Sequence, residues 1–167
     1  TGGRDRYMRP ASDYLPATPG GQERRLPQAV HEELRRFFEP LGVDVSDIQV
    51  RVFPFRSDYA RGRWGIHLGG QHIAINEDKL RTGTYGQLLS ALTHEVTHVW
   101  QEGLLGPRAY NWFIRWERDF SLNENQLYSF PWHETGGRVS PTSGAATLEG
   151  VARFYEFWSW QNLYGHP

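Results

Sequence analysis

The 167 residues suit one domain with a buried core, and a hydrophobic content of 38% with an aromatic content of 14% supplies it. A formal net charge of −1, with Lys and Arg scattered along the chain, gives no sign of a nucleic-acid footprint. The absence of cysteine excludes disulfides and thiolate-ligated metal, and no apolar run reaches the length of a membrane span or a signal-peptide core.

The chain begins with Thr1 rather than Met and is expected to be a trimmed or partial polypeptide. Residues 1–25 are rich in Gly, Pro and Arg, with Pro10, Pro16 and Pro19 interrupting any periodicity, and read as an extended arm or linker ahead of a domain over 26–167. Pro27 opens a helix whose apolar stripe is Val30, Leu34, Phe37, Phe38 and Leu41, and Pro40-Leu41-Gly42 ends it. His31 reads as a surface residue of that helix. Ile48–Phe53 alternates apolar and polar residues and is expected as a half-buried strand. Trp64–Leu68 and His72–Asn76 flank Gly69-Gly70 as a hairpin, with His67 and His72 expected to face solvent and Glu77-Asp78 to form a solvated turn.

Thr84–Gly103 carries the chemistry. Thr84 and Gln87 have capping-box spacing, Gly103 is a candidate left-handed stop, and Leu88, Leu89, Leu92, Val96, Val99 and Trp100 recur at helical spacing. His94-Glu95-Val96-Thr97-His98 lies within that helix. Residues four apart share a face, so His94 and His98 can offer two imidazole nitrogens to one ion while Glu95 sits beside it. This is the HExxH arrangement, in which two histidines bind Zn²⁺ and the glutamate accepts a proton from a metal-activated water.

Beyond Gly103 a linker leads to a helix over Tyr110–Asp119, whose Trp112, Phe113 and Trp116 are expected in the core. Ser121–Gly144 is long and turn-rich, and a last helix is expected from near Ser143 to about Tyr164. A catalytic zinc takes three protein ligands, and without cysteine the third must be His, Glu or Asp. Glu149 is the best candidate, with Glu124 and His133 as rivals. Glu149 also has a plain structural role open to it, complementing the helix dipole or pairing with Arg153.

Glu149-Gly150-Val151-Ala152-Arg153-Phe154-Tyr155 resembles the E-G-x-A-x-x-Y element that supplies the third ligand in many gluzincin metallopeptidases. Arg153 departs from the acidic residue thermolysin-like enzymes carry at that offset, and Glu156 could orient a histidine in its place. A closer resemblance runs through Leu26-Pro27, Leu41–Val50 and the string Leu92–Gln101. These look like successive motifs of the metallopeptidase domain found with bacterial polymorphic (Rhs-type) toxins and contractile injection systems, over roughly residues 26–103. Where that family often continues with a second Gln, this chain has Glu102. The Met-turn of metzincins is missing, since Met8 is the sole methionine.

The resemblance implies an α+β, zincin-like fold, with a small twisted β-sheet over the HExxH helix and a mainly helical C-terminal part. It implies a zinc-dependent peptidase acting on a protein or peptide, secreted or translocated by bacteria as an effector or toxin domain. Its partners would be a secretion apparatus or further domains of a longer polypeptide. His94, His98 and Glu149 would be the ligands and Glu95 the general base. Tyr155, Arg153 and His133 are candidate oxyanion donors, of which Tyr155 is preferred. His72–Asn76 would be the edge strand that receives an extended peptide. A self-processing protease and a zinc-stabilised non-catalytic binding or carrier module are the alternatives.

Overall fold

The computed structural model describes residues 5–120, 132–135, 138–141 and 147–165, and among them the architecture is α+β, with a four-stranded mixed sheet. Its first segment departs from the expected arm. Residues 5–21 form three 3₁₀ turns that bury Tyr7, Ala11 and Leu15. The segment is tied down by Ala11 N–H to Gly83 O (2.9 Å) and Tyr85 N–H to Arg9 O (2.8 Å), and Tyr14 stacks on Tyr85. These contacts are sporadic rather than periodic, so proline and glycine content alone suggested a linker.

Strand β1 (Arg24–Arg25) leads into helix α1 (Gln28–Phe38), which buries Val30, Leu34, Phe37 and Phe38 as their spacing requires. Leu41 is exposed, beyond the helix in a 3₁₀ turn closed by Gly42 at φ 75°. Strand β2 (Gln49–Phe53) turns Val50 and Val52 inward and Arg51 outward. Strands β3 (Gly65–Gly69) and β4 (His72–Asn76) form the expected hairpin, with Gly69 and Gly70 both at positive φ.

The sheet order is β1-β2-β4-β3, antiparallel except for the parallel β2–β4 pair. This corrects the placement of the edge. β4 is bonded on both sides, with Ala74 opposite Arg51 and Ile66, and β3 is the outer strand. The continuous apolar run Ile73-Ala74-Ile75, fully buried, is the composition of an inner strand. Glu77 and Asp78 open helix α2 (Glu77–Thr82) rather than a turn: Asn76 caps it, accepting from Asp78 N–H, and two acidic residues complement the dipole.

Helix α3 (Tyr85–Leu105) begins with the Thr84/Gln87 capping box. It passes through Gly103 and stops at Gly106, at φ 85°. Leu88, Leu89, Leu92 and Val96 pack against α1, β2 and β4 in one core, each fully buried side chain contributing about 1.5–3 kcal/mol. Helix α4 (Pro107–Phe120) follows at once, and its aromatic stripe faces away from the core: Trp112 is 59% exposed and Phe120 70%. Its inward face is carried by Tyr110 and Glu117. Helical periodicity identified two faces of α4 but not which one is covered.

Strands β5 (Trp132–Thr135) and β6 (Arg138–Pro141) pair antiparallel within the segment expected to be turn-rich. The last helix, α5 (Leu148–Ser159), starts later than expected, at an N-cap where Thr147 accepts from Gly150 N–H, and passes into a π-helical turn over Trp160–Tyr164. It packs on α3 through Glu149, Gly150, Ala152 and Phe154, all buried. No described helix is long and apolar enough to cross a membrane.

Candidate metal centre and cleft

Helical spacing on α3 brings His94 Nε2 to 3.3 Å from His98 Nε2. From the first turn of α5, Glu149 contributes Oε1, which lies 3.5 Å from His94 Nε2 and in contact with His98 Nε2. Ligand atoms of His94, Glu95 and His98 also lie within 4.8 Å of one another. The structure thus brings together four residues singled out from sequence.

Hydrogen bonding on the outer side of the rings decides what faces inward. His94 Nδ1 meets Glu156 Oε1 at 2.9 Å and His98 Nδ1 meets Gln101 Oε1 at 3.0 Å. The Gln101 amide is fixed in that orientation because its nitrogen donates to Leu148 O at 3.1 Å, and a carbonyl can only accept. Both Nδ1 atoms therefore donate, which leaves the two Nε2 lone pairs turned toward each other and toward Glu149 Oε1. That oxygen is buried and receives no hydrogen bond. Buried acceptors left in this way are costly unless a proton or a cation lies between them.

Two of the three spacings fit a cation. With bonds of about 2.0–2.1 Å, two ligand atoms of a tetrahedral ion stand roughly 3.3–3.4 Å apart. The 3.3 Å and 3.5 Å separations from His94 Nε2 agree with that figure, whereas Glu149 Oε1 and His98 Nε2 stand closer and must part to admit an ion.

Charge shows only that the site favours a positive centre, which without an ion is a proton on an imidazole. Burial opposes a charge on His94, but Glu95, Glu149 and Glu156 outweigh it and push its pKa up to about 10. Burial works against ionised Glu149 as well, yet His94 and His98 hold its carboxyl far below the usual carboxylate range. Glu95 goes the other way, raised by burial, with His94 and His98 only partly offsetting it. A buried carboxylate with a raised pKa beside a cation site has the character of a proton acceptor.

The site opens into a cleft of about 310 Å³ between β3 and α4. Four of its residues were missed from sequence. His67, expected in solvent, turns inward: its Nε2 donates to Gly70 O at 2.9 Å, so its Nδ1 accepts from Tyr110 Oη at 3.3 Å. Burial lowers its pKa. Gly65, two residues before it, shares its face of β3, and a glycine within an outer strand marks a face pressed against another element. That signal could have found it. Glu102 accepts from Gly70 N–H and lies 3.9 Å from His67. Arg118 donates to Glu149 Oε2 at 3.0 Å and to Tyr59 Oη. Tyr110 and Arg118 had no signal, since the aromatic stripe drew attention to the opposite face of α4.

Tyr155 is not brought to the site. It packs against Phe37 and Trp100, and it does not line the cleft. Six residues after Glu149 is about 600° round a helix, some 120° away from the ligand face, whereas Glu156, seven residues on, returns to that face. Arg153 lies with its guanidinium 4.6 Å from the Phe157 ring, also away from the cleft. His72 is exposed and paired with Glu23. Glu124 falls outside the described residues, and His133 is placed only as a residue of β5. No family model matches the chain, and no curated protein or solved structure matches it.

Proposed function

We propose that the chain is a zinc-dependent peptidase of zincin type, gluzincin-like in drawing its third ligand from a helix beyond the HExxH helix. The observation that carries this reading is the convergence of His94 Nε2, His98 Nε2 and Glu149 Oε1, with both Nδ1 atoms already engaged and no donor on the carboxylate oxygen. Two imidazoles and a carboxylate without thiolate suit zinc. Held by these three, the ion would supply Lewis-acid polarisation of a carbonyl and a water acidified toward neutrality.

The remaining work falls to the chain. Glu95 takes the proton of the attacking water and returns it to the leaving nitrogen. The outer edge of β3, along the cleft and paired with no other strand among the described residues, offers backbone groups to an extended peptide, the role first expected of β4. Tyr110, like Tyr59, brings a hydroxyl to the cleft, and it replaces Tyr155 as oxyanion donor by turning its proton from His67 Nδ1 to the substrate oxygen. By resemblance, the domain belongs to a bacterial secreted effector.

Hydrolysis of an unstructured protein by the purified chain tests this, with Glu95→Gln as control. We expect cleavage that chelation abolishes and that Glu95→Gln reduces by about 10²-fold or more, since an amide keeps the shape but accepts no proton. Zinc binding without Glu95-dependent cleavage would make the chain a metal-stabilised binding module instead.

A further inference from the structure

We propose that Arg118 is a positioning residue that sorts the two oxygens of Glu149, engaging Oε2 so that Oε1 alone is presented to His94 and His98; this rests on the zinc-site reading above. A carboxylate can give a cation one oxygen or both, and the choice decides how many positions remain for water and substrate. In this site the two oxygens are treated differently. Oε2 accepts from the Arg118 guanidinium at 3.0 Å, whereas Oε1 lies among the imidazole nitrogens with no donor.

The arrangement is built from one turn of α4. Glu117 accepts from Leu148 N–H at 2.8 Å and so fixes the backbone that opens α5, and Arg118, the next residue, fixes the side chain of Glu149. Gln101 holds the same turn from α3 through Leu148 O. The guanidinium is itself steadied by Tyr59, whose hydroxyl it meets and whose ring centroid lies 5.9 Å away. A planar fork gripped at both ends leaves Glu149 little freedom to rotate about its last bond. Rotation would be needed to bring the second oxygen to the ion.

Cobalt(II) in place of zinc reports this directly, because its visible absorption is strong in four-coordinate sites and weak when further ligands join. The full chain, Arg118→Met and Arg118→Lys are loaded with cobalt and compared, with thermal midpoints measured alongside. We expect Arg118→Met to bind cobalt but lose most of the absorption per bound ion, as Glu149 turns to give both oxygens. Arg118→Lys, which keeps one donor for Oε2, should retain the wild-type spectrum. An Arg118→Met spectrum identical to wild type would overturn the proposal and leave the ion pair a packing contact. So would equal loss in both variants tracking a fall in thermal midpoint. If the wild-type chain takes up neither cobalt nor zinc, the zinc-site reading fails and this proposal with it, a result distinguishable from the first two by uptake alone.

Discussion

Gly65 of β3 lies against Glu95 of α3 so closely that a β-carbon at position 65 would stand 3.0 Å from Glu95 Cγ and 3.2 Å from Ala74 O. The glycine lets the outer strand approach the helix where the proposed base sits. Gly65→Ala asks the Glu95 side chain or the inner strand to give by a few tenths of an ångström, less than the misplacement of about 1 Å that can cost 10²-fold in rate. We predict retained metal with kcat lowered by up to about tenfold. Unchanged kcat in a folded Gly65→Ala chain would show that the position of Glu95 is not rate-determining.

Gln101 holds His98 in the tautomer that points Nε2 inward, and Glu156 does the same for His94. Loss of such partners typically costs 10–100-fold in metal affinity. Gln101→Leu and Glu156→Leu should each weaken zinc binding by about that factor in chelator competition. Glu156→Gln, whose amide oxygen still accepts from Nδ1, should lose far less. Equal affinity in Gln101→Leu and wild type would mean that the ring is oriented by packing alone.

The HExxH helix was legible because its cap, its apolar stripe and its histidine spacing agree. Its end was not: Gly103 and Gly106 are both plausible stops, and only the chain reversal into α4 selects the second. Glu149 was legible from its neighbours, and the rotation from residue 149 to residue 156 could have favoured Glu156 and dismissed Tyr155. Arg118 and Tyr110 were hidden because the buried side of α4 is polar and the apolar side exposed, the reverse of the usual inference. The edge strand was misassigned because hairpin order says which strands pair but not that β2 would join β4 from the other side.

That reversal is itself testable. Trp112 is 59% and Trp116 47% exposed, so Trp112→Ser and Trp116→Ser should each change unfolding free energy by less than about 1 kcal/mol. Core tryptophans would cost about 3–5 kcal/mol on truncation. Urea titration of the two variants distinguishes the cases, and a loss in the core range would mean that this face is covered in the folded chain.

A tyrosine cluster ties the N-terminal segment to α3 and the C-terminal turn: Tyr7 lies 6.0 Å from Tyr85 and 5.4 Å from Tyr164 between ring centroids. Burial pushes Tyr7 up to about 12 and raises Tyr85 and Tyr164 also. Because the folded pKa values exceed the unfolded value of about 10, the stability this provides is complete below pH 10 and is lost as pH climbs toward 12 and beyond. Urea midpoints should hold steady between pH 8 and 9.5 and fall steeply above. Tyr85 Oη is buried with no hydrogen-bond partner among the described residues. Tyr85→Phe should therefore leave neutral-pH stability unchanged or raise it by about 1 kcal/mol, and soften the alkaline fall. A marked destabilisation by Tyr85→Phe would show that the hydroxyl is satisfied.

The central claim is that His94, His98 and Glu149 hold one zinc ion. Elemental analysis of the chain purified without chelators, followed by zinc titration of any empty fraction, measures it most directly. The account predicts close to one zinc per chain, lost from His94→Ala and retained by Glu95→Gln. No zinc in the purified protein, and none taken up on titration, would contradict it.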